Sequence, residues 1–336
     1  MKGELLNKNG LFGKVGLQQL LAPLALVILY IFFSIFGNQF FTFATLISIL
    51  DRTYYIALLA FGITFVIITA GIDLSIGTVM MCAALLGGYA YNVLGYDIIS
   101  SMIFVVFIAT LFGLINGVLV AKLKLPPFIA TLGVMMMSQG LGSIITKVQT
   151  QRWPTAFDTD GWYKSVFYKT QSSASLPNGF PSGIIFVAIM FIIAYLLLNR
   201  TKFGRYTFAI GSNEEAVRLS GVDVAKWKIM VYTICGFFVG LAAIVYSATY
   251  STIIPGTGTG EEMKAIASVI IGGTTLSGGV GTMSGTLIGA LLMSVLGTGL
   301  MSLGLPQQYQ TFFTGFVVIL AVLLDIYRSK KLGIKK

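Results

Sequence analysis

Long apolar stretches separated by short polar segments make up most of the chain. A helix needs about 20 mostly apolar residues to cross the hydrocarbon core of a bilayer. Ten stretches meet or approach that length: 20–37, 54–72, 75–95, 98–120, 126–147, 183–199, 229–250, 263–278, 282–301 and 307–326. The eighth is short and bounded by glycines, so we expect it to be broken or re-entrant. The pattern predicts an all-α polytopic membrane protein with about ten transmembrane helices.

Composition agrees with that class of protein. Hydrophobic residues make up 56% of the chain, charged residues only 10%, and the mean hydropathy is +0.88. Cys82 and Cys235 fall inside apolar runs and are expected to be buried thiols rather than a disulfide or metal ligands. Because the chain has no histidine, we predict no metal site. The first apolar run lacks a small-residue cleavage site and is interpreted as a span, not a signal peptide.

The basic residues predict the topology. With the N-terminus in the cytoplasm, sixteen of the 22 lysines and arginines fall in cytoplasmic segments, as the positive-inside rule requires. An odd number of spans would place the basic C-terminal tail outside, so ten spans and two cytoplasmic termini are expected. The net charge of +10 then reflects topology in a lipid bilayer, and no nucleic-acid partner is predicted. The predicted organisation is a leader at 1–19, six spans at 20–199 with an outer loop at 147–182, a cytoplasmic loop at 200–228, four spans at 229–326 and a basic tail at 327–336.

The outer loop is rich in aromatic residues. Five of them stand among polar residues: Trp153, Trp162, Tyr163, Phe167 and Tyr168. Aromatic side chains favour the lipid–water interface, and anchoring the loop there is the preferred interpretation. Binding of an extracellular partner is the alternative.

The segment from Gly204 to Lys228 is the most hydrophilic interior part of the chain. Ser212 and Glu215 have the spacing of a capping box, and Glu214 and Glu215 would occupy the first turn of the helix that follows. Gly221 stands where a left-handed residue ends a helix. A helix of about two turns is unstable alone in water, so it must rest on another surface. It is either a connector on its own bundle or a docking element for a soluble partner.

One short motif occurs twice. Residues 71–77 and 273–279 share the pattern G-x-x-L-S-x-G, each at the inner end of an inward-going span. Transporters often descend from duplications and place glycine-interrupted helices at their sites. The repeat predicts two related halves in the same orientation, although most of the 39 glycines are expected to serve helix packing.

The chemistry that the sequence lacks limits the function. There is no G-x-x-x-x-G-K-[ST] phosphate cradle, so we predict that the chain is not an enzyme and does not hydrolyse ATP itself. Asp51, Asp73, Asp97 and Asp325 fall at span ends, which leaves the span interiors without formal charge and argues against a proton-driven mechanism. A neutral polar solute is therefore favoured. The candidate pathway residues are hydroxyl, amide and aromatic side chains of the spans: Ser75, Asn116, Phe128, Thr131, Gln139, Tyr246 and Ser277.

Four longer motifs together resemble a known family. They are GIDLSIG at 71–77, GLINGVLVAKLKLPPFIATLG at 113–133, FGRYTFAIGSNEEAVRLSGVDVAKWKI at 203–229 and IIGGTTLSGGVGTMSGTLIGALL at 270–292. In this order and spacing, over about 20–326, they resemble the permease subunit of bacterial ABC importers for monosaccharides, such as ribose, xylose, arabinose and galactose. One departure is Lys264, which stands where members of the family often have an aspartate.

The resemblance implies a multi-pass subunit of the bacterial plasma (inner) membrane that works by alternating access. It implies a second copy of the permease, a cytoplasmic ATPase that binds ATP and magnesium, and an extracytoplasmic sugar-binding protein, with no cofactor on this chain. It also implies a coupling helix formed by Gly211, Ser212, Asn213, Glu214, Glu215 and Ala216, with Ser220 and Gly221. An ion-coupled secondary transporter, a nucleoside or inositol permease of the same family and a non-transporting scaffold remain alternatives.

Overall fold

The protein is described by a computed structural model that covers residues 8–171 and 179–331. The first seven residues of the predicted leader and the last five of the basic tail lie outside the described residues. The longer helices are α1 (Lys8–Phe36), α2 (Phe43–Ile68), α3 (Ile76–Asn92), α4 (Ile98–Ala121), α5 (Pro127–Ile145), α7 (Gly183–Arg200), α10 (Val224–Tyr250), α12 (Met283–Ser302) and α13 (Gln307–Lys331). The shorter elements are α6 (Trp162–Phe167), α8 (Lys202–Ser212), α9 (Glu214–Leu219), α11 (Glu261–Ile271), β1 (Gln151–Arg152) and β2 (Thr252–Ile253).

Helices occupy all ten predicted span positions. Among the described residues, six of them are long and apolar enough to cross a membrane, namely α2, α4, α5, α7, α10 and α12. Shorter apolar helices cover Ala22–Phe36 and Gln307–Leu323. These helices confirm the prediction of an all-α polytopic protein. Spanning segments are helical because lipid offers no partner for backbone amides, so each segment must satisfy its own hydrogen bonds. Within residues 8–171 and 179–331, the departure from that prediction is one antiparallel pair of two-residue strands, β1 with β2.

Side-chain caps fix where several helices begin. The Thr42 hydroxyl accepts the N–H of Thr45 at the start of α2, and the Asp97 carboxylate accepts the N–H of Ser100 at the start of α4. The Thr282 hydroxyl does the same for Gly285 at the start of α12. Each cap satisfies one of the N–H groups that the first turn of a helix leaves without a partner.

The core is centred on α2, whose residues from Thr53 to Ile68 are all buried. Helix α10 packs against both α2 and α4. Where α10 crosses α4, Gly113 and Gly236 face each other so closely that a Cβ on Gly113 would lie 2.9 Å from the Gly236 Cα. Small residues at a crossing allow two backbones to approach, so glycine has the packing function expected from the sequence at this position.

Two predicted span boundaries are wrong in instructive ways. Helix α2 begins at Phe43, not near residue 54, so Asp51 and Arg52 lie within the helix and not at its end.

Helix α11 has only 11 residues, which is about 16 Å of helix or half of a bilayer core. The prediction that the eighth segment is broken is confirmed, since Gly272 ends the helix and Gly273 has a φ of 93°.

The bundle has two ends that can be named from their contents. At the strand end, β1 pairs with β2, and the Tyr168 hydroxyl donates to Asp51 Oδ2 at 3.1 Å. At the α9 end, α2 finishes beside the loop between α11 and α12, where the Gly279 N–H donates to the Ile68 carbonyl at 2.8 Å. Helix α2 therefore runs from the strand end to the α9 end.

Candidate functional site: the α8–α9 segment and a polar cavity

The hydrophilic segment forms two helices instead of one. The chain is extended at Asn213, with φ of −160° and ψ of 95°, and this residue separates α8 from α9. Asn213 Oδ1 accepts the Ala216 N–H at 3.0 Å, whereas the Ser212 hydroxyl donates to the Phe208 carbonyl within α8. The predicted capping box is thus wrong by one residue, because Ser212 ends α8 and Asn213 caps α9.

The other two end signals of this segment are confirmed. Glu214 and Glu215 occupy the first turn of α9, where the helix dipole favours negative charge. Gly221 has a φ of 83°, so the chain leaves α9 through a left-handed residue as predicted. Helix α9 has six residues, and its stability must come from the surface on which it rests.

Backbone contacts join this segment to the bundle. A Cβ on Gly211 would collide with the Ile68 carbonyl and with the Gly279 backbone nitrogen. Only glycine allows so close an approach. Ile210, Val217 and Val224 form a small buried cluster that holds α8, α9 and the start of α10 together. The segment is therefore fixed to the end of α2 and to the loop between α11 and α12.

The outward face of α9 is exposed and carries charges. Arg218 and Glu215 form an ion pair at 2.7 Å with both side chains about 60% exposed. Leu219 is 80% exposed at the end of α9. A second ion pair, Lys228 Nζ to Glu214 Oε2 at 2.6 Å, ties α9 back to α10. Helix α9 therefore presents exposed side chains on one face while an ion pair and a buried valine hold it to the rest of the protein.

Three of the predicted pathway residues come together around Asp73. The Ser75 hydroxyl donates to Asp73 Oδ1 at 2.6 Å, and Asn116 Nδ2 lies 3.2 Å from Asp73 Oδ2 and 2.9 Å from the Ser75 hydroxyl. The Thr131 hydroxyl accepts the Leu74 N–H at 3.2 Å. All of these residues are buried, and their hydrogen bonds join the turn between α2 and α3 to α4 and α5. Asp73 itself lies between helices, as predicted, but it is buried.

The other four predicted pathway residues are not brought together. Gln139 Nε2 donates to the Gly256 carbonyl at 2.6 Å. The Tyr246 ring contacts Tyr55 edge-to-face and Tyr250 in a tilted arrangement, at centroid distances of 5.2 and 4.5 Å. Phe128 is 56% exposed on α5. Ser277 lies in the loop between α11 and α12.

The aromatic loop is packed into the protein. Trp153 is buried and donates its Nε1–H to the Ala84 carbonyl at 3.0 Å, and Tyr163 is buried as well. Lys164 Nζ donates to the Ser251 hydroxyl at 2.5 Å, and burial lowers the pKa of this lysine. For Trp153 and Tyr163, anchoring at the lipid interface is wrong, because both side chains are buried in the protein. Trp162 remains 45% exposed.

A polar cavity, which was missed from the sequence, lies between α2, α11, α12 and α13. Its volume is about 280 Å³. We call it the α2–α13 cavity. It is lined by Arg52, Tyr55, Ile56, Thr259, Gly260, Glu261, Met263, Lys264, Met293, Ser294, Gly297, Gln307, Gln310, Thr311, Thr314 and Gly315.

A wider cavity of about 470 Å³ opens at the strand end, and we call it the Arg52 vestibule because Arg52 lines both spaces. Its wall also includes Asp51, Tyr168, Tyr250 and Thr298. The Arg52 guanidinium contacts the Met301 sulfur at 2.7 Å, and the ion pairs found among the described residues do not include it. Arg52 therefore faces both spaces, where its guanidinium can donate to another partner.

The charges around the two cavities balance. Lys264 Nζ lies 2.6 Å from Glu261 Oε1 in the wall of the α2–α13 cavity, and this pair explains how the chain accommodates a lysine at that position. Three buried side-chain oxygens on the two walls have no hydrogen-bond partner among the described residues, namely Asp51 Oδ1, Glu261 Oε2 and Thr298 Oγ1. Unsatisfied buried oxygens are costly, so the walls favour a ligand that can donate hydrogen bonds.

One sequence signal could have indicated this cavity. Gln307, Gln310, Thr311 and Thr314 stand at the spacing i, i+3, i+4 and i+7. That spacing places four polar side chains on one face of an apolar helix. Polar residues inside a membrane helix usually face the protein interior or a water-filled space.

An apolar helical bundle with a half-length helix beside a polar cavity is an arrangement that many membrane transporters share. The chain belongs to the family described as the branched-chain amino acid transport system / permease component, which matches residues 45–322. The predicted resemblance to permease subunits of ABC-type monosaccharide importers is confirmed, and the chain is a multi-pass protein of the inner membrane.

Three relatives give the range of similarity. The ribose import permease protein RbsC of Escherichia coli (strain K12) is 38% identical over 322 residues, which cover 94% of this chain and 95% of that protein. The ribose import permease protein RbsC of Bacillus subtilis (strain 168) is 38% identical over 317 residues, with 94% and 95% covered. The fructose import permease protein FrcC of Rhizobium meliloti is 32% identical over 310 residues, with 92% and 85% covered.

Proposed function

We propose that this chain is the membrane subunit of an ATP-driven importer and forms the pathway for a neutral pentose or hexose. Family membership and relatives described as ribose and fructose import permeases support this cargo class. The balanced charges and free acceptor oxygens of the two cavities fit an uncharged, hydroxyl-rich solute. The chain supplies no covalent chemistry, and cargo moves when the cavity opens first to one side and then to the other.

The observation that supports the mechanism best is the attachment of the α8–α9 segment. Exposed α9 is fixed through Gly211 to the end of α2 and to Gly279, which follows the broken helix α11. A force applied to α9 would therefore reach both α2 and α11, the two helices that supply Arg52 and the Glu261–Lys264 pair. We propose that Gly211, Ser212, Asn213, Glu214, Glu215, Ala216, Ser220 and Gly221 form the surface to which the ATPase docks.

The remaining parts of the importer follow from this assignment. ATP and magnesium bind the partner ATPase at the α9 end, which is the cytoplasmic side, and both termini of the chain lie on that side. A sugar-binding protein delivers cargo at the strand end, and two copies of the chain pair across the membrane. A partner shifts the conformational equilibrium only by binding one state better than the other.

Co-purification tests the proposed docking surface. The tagged chain, extracted from its native host in mild detergent, should retain an ATPase, and the variant Glu215→Ala should retain less of it at equal chain abundance. The matched control is Glu4→Ala, which changes the same residue type in the leader, far from α9 in sequence. Recovery of no ATPase with the unaltered chain would contradict the proposed function, and equal recovery with Glu215→Ala would contradict the role of α9.

A further inference from the structure

Three basic side chains stand together where α7 passes into α8. Arg200 is the last residue of α7, and Lys202 and Arg205 lie about one turn apart on α8. All three are exposed, and the ion pairs found in residues 8–171 and 179–331 do not include them. We call these three residues the α7–α8 basic patch. Three positive charges are thus grouped within six residues of the chain.

The corner between the two helices fixes the direction in which the patch faces. The Thr201 hydroxyl donates to the Leu197 carbonyl at 2.6 Å and accepts the Gly204 N–H at 3.3 Å, which joins the end of α7 to the start of α8. A Cβ on Gly204 would collide with the Leu198 carbonyl, so the two helices meet closely. The opposite face of α8 is buried in the protein at Phe203, Gly204, Thr207 and Ile210. Lys202 and Arg205 therefore point outward.

The surface next to the patch is the surface that a lipid bilayer covers. Only four of the 18 residues of α7 are buried. Its exposed apolar side chains include Ile184, Ile185, Ile189, Ile192, Ile193 and Leu196. On α8, Tyr206 follows Arg205 and its ring lies 4.6 Å from that of Trp227. Tyrosine and tryptophan favour the headgroup layer of a membrane, which places the patch at the depth of the lipid phosphates.

We infer that the α7–α8 basic patch binds the headgroup of an anionic phospholipid whose acyl chains lie along α7. Grouped basic residues beside a transmembrane helix attract anionic lipids, and a guanidinium can bind a phosphate through two parallel hydrogen bonds. Membrane topology accounts for the sign of these charges, but it does not require them to be grouped on one outward face beside an apolar helix.

This inference goes beyond the proposed function, which assigns a different part of the segment to the ATPase. Helix α8 ends at Ser212, so the patch and the proposed docking surface lie at opposite ends of the same helix. The acidic residues of α9 have partners of their own, since Glu214 pairs with Lys228 and Glu215 pairs with Arg218. A lipid held at the patch would therefore restrain the base of the docking surface without covering it.

Two double variants remove the same charge from two places at one end of the bundle. Lys202→Gln with Arg205→Gln removes the charges of α8. Lys122→Gln with Lys124→Gln is the matched control, because both lysines are exposed and follow α4 where that helix packs against the start of α10. Lys202→Arg with Arg205→Lys keeps both charges and tests whether the site tolerates any other change at these positions.

The thermal midpoint of the purified chain in detergent micelles measures lipid binding. Cys82 and Cys235 are buried, so a fluorogenic thiol dye reports unfolding. Phosphatidylglycerol should raise the midpoint by several degrees relative to phosphatidylcholine for the unaltered chain, the control and the charge-keeping variant. Each lysine or arginine contributes about fivefold to affinity for an anionic surface. In Lys202→Gln with Arg205→Gln, the phosphatidylglycerol concentration that gives half of the shift should therefore rise about tenfold or more.

Four results would overturn the inference. The first is no shift for the unaltered chain, or the same half-shift concentration in Lys202→Gln with Arg205→Gln. The second is an equal loss of affinity in the control, which would show unspecific attraction. The third is an equal shift from inorganic phosphate in phosphatidylcholine micelles, which would show a site for a free anion. The fourth is a variant of α8 that keeps its lipid shift but co-purifies with less ATPase, which would assign the patch to the ATPase. The chain alone is heated, so the lipid measurement does not depend on whether the importer takes up sugar.

Discussion

Replacing Asp73 with alanine tests whether the buried network between α2 and α3 stabilises the fold. Asp73 accepts the Ser75 N–H at 2.9 Å, the Ser75 hydroxyl at 2.6 Å and the Asn116 amide at 3.2 Å. In Asp73→Ala, the Ser75 N–H, the Ser75 hydroxyl and one N–H of the Asn116 amide lose their acceptor. Each buried group left without a partner costs about 1–3 kcal/mol, so the free energy of unfolding should fall by roughly 3–9 kcal/mol.

The buried cysteines provide the assay. Cys82 and Cys235 are inaccessible in the folded chain and become reactive on unfolding. A fluorogenic thiol dye should therefore report a midpoint temperature several degrees lower for Asp73→Ala than for the unaltered chain in the same detergent. Asp73→Asn keeps the shape and one acceptor oxygen, so its midpoint should lie between the two. Its sugar uptake should survive, because the network holds the turn and does not line the pathway.

Two results would refute this reasoning. A higher midpoint for Asp73→Ala would mean that burying the carboxylate costs more than its hydrogen bonds return. Loss of uptake in Asp73→Asn at an unchanged midpoint would mean that Asp73 acts in transport, as an ion-coupled mechanism would require.

Three further predictions concern α9 and the outer loop. Asn213→Ala removes the cap of α9, which costs about 1 kcal/mol, and should lower ATP-driven uptake more than membrane abundance. Glu215→Ala should also lower ATP-driven uptake more than membrane abundance, because it removes a charge from the exposed face of α9. Equal losses of uptake and abundance would show that the segment is only structural. Trp153→Phe keeps a buried ring but leaves the Ala84 carbonyl without its donor, so the thermal midpoint should fall by the equivalent of about 1 kcal/mol while uptake persists. An unchanged midpoint would contradict the packed position of the loop.

The helices could be predicted from the sequence because the membrane imposes a simple rule. Apolar runs of sufficient length must be helical, and that rule placed a helix at each of the ten positions. It failed at the start of α2, where Asp51 and Arg52 interrupt the apolar run. Helix α2 continues through Asp51 and Arg52 because their side chains face polar spaces inside the protein. Hydropathy along the chain does not show which way a side chain faces.

The cap of α9 shows a second kind of limit. Ser212 and Asn213 are both good capping residues, and the local sequence favours the serine because Glu215 follows at the capping-box spacing. In the structure Asn213 caps α9, because Ser212 is the last residue of α8 and packs beside Gly279 in the loop between α11 and α12. A tertiary contact therefore decides a local choice.

The candidate site was predicted only in part. Ser75, Asn116 and Thr131 do meet, yet they meet around Asp73 and the turn that carries it. The α2–α13 cavity needs residues from four helices that are far apart in the sequence, and only the polar face of α13 could be seen beforehand. Arg52 and Lys264 each stand at the edge of an apolar run, so hydropathy alone does not indicate that they line a cavity.

The energy source for uptake tests the central proposal most directly. The importer, with its ATPase and binding protein, is placed in liposomes with ATP sealed inside, and uptake of labelled sugar is followed with and without a protonophore. The account predicts uptake that requires ATP and continues when the proton gradient is collapsed. Uptake that the protonophore abolishes while internal ATP is held constant would contradict it and would identify the chain as an ion-coupled transporter.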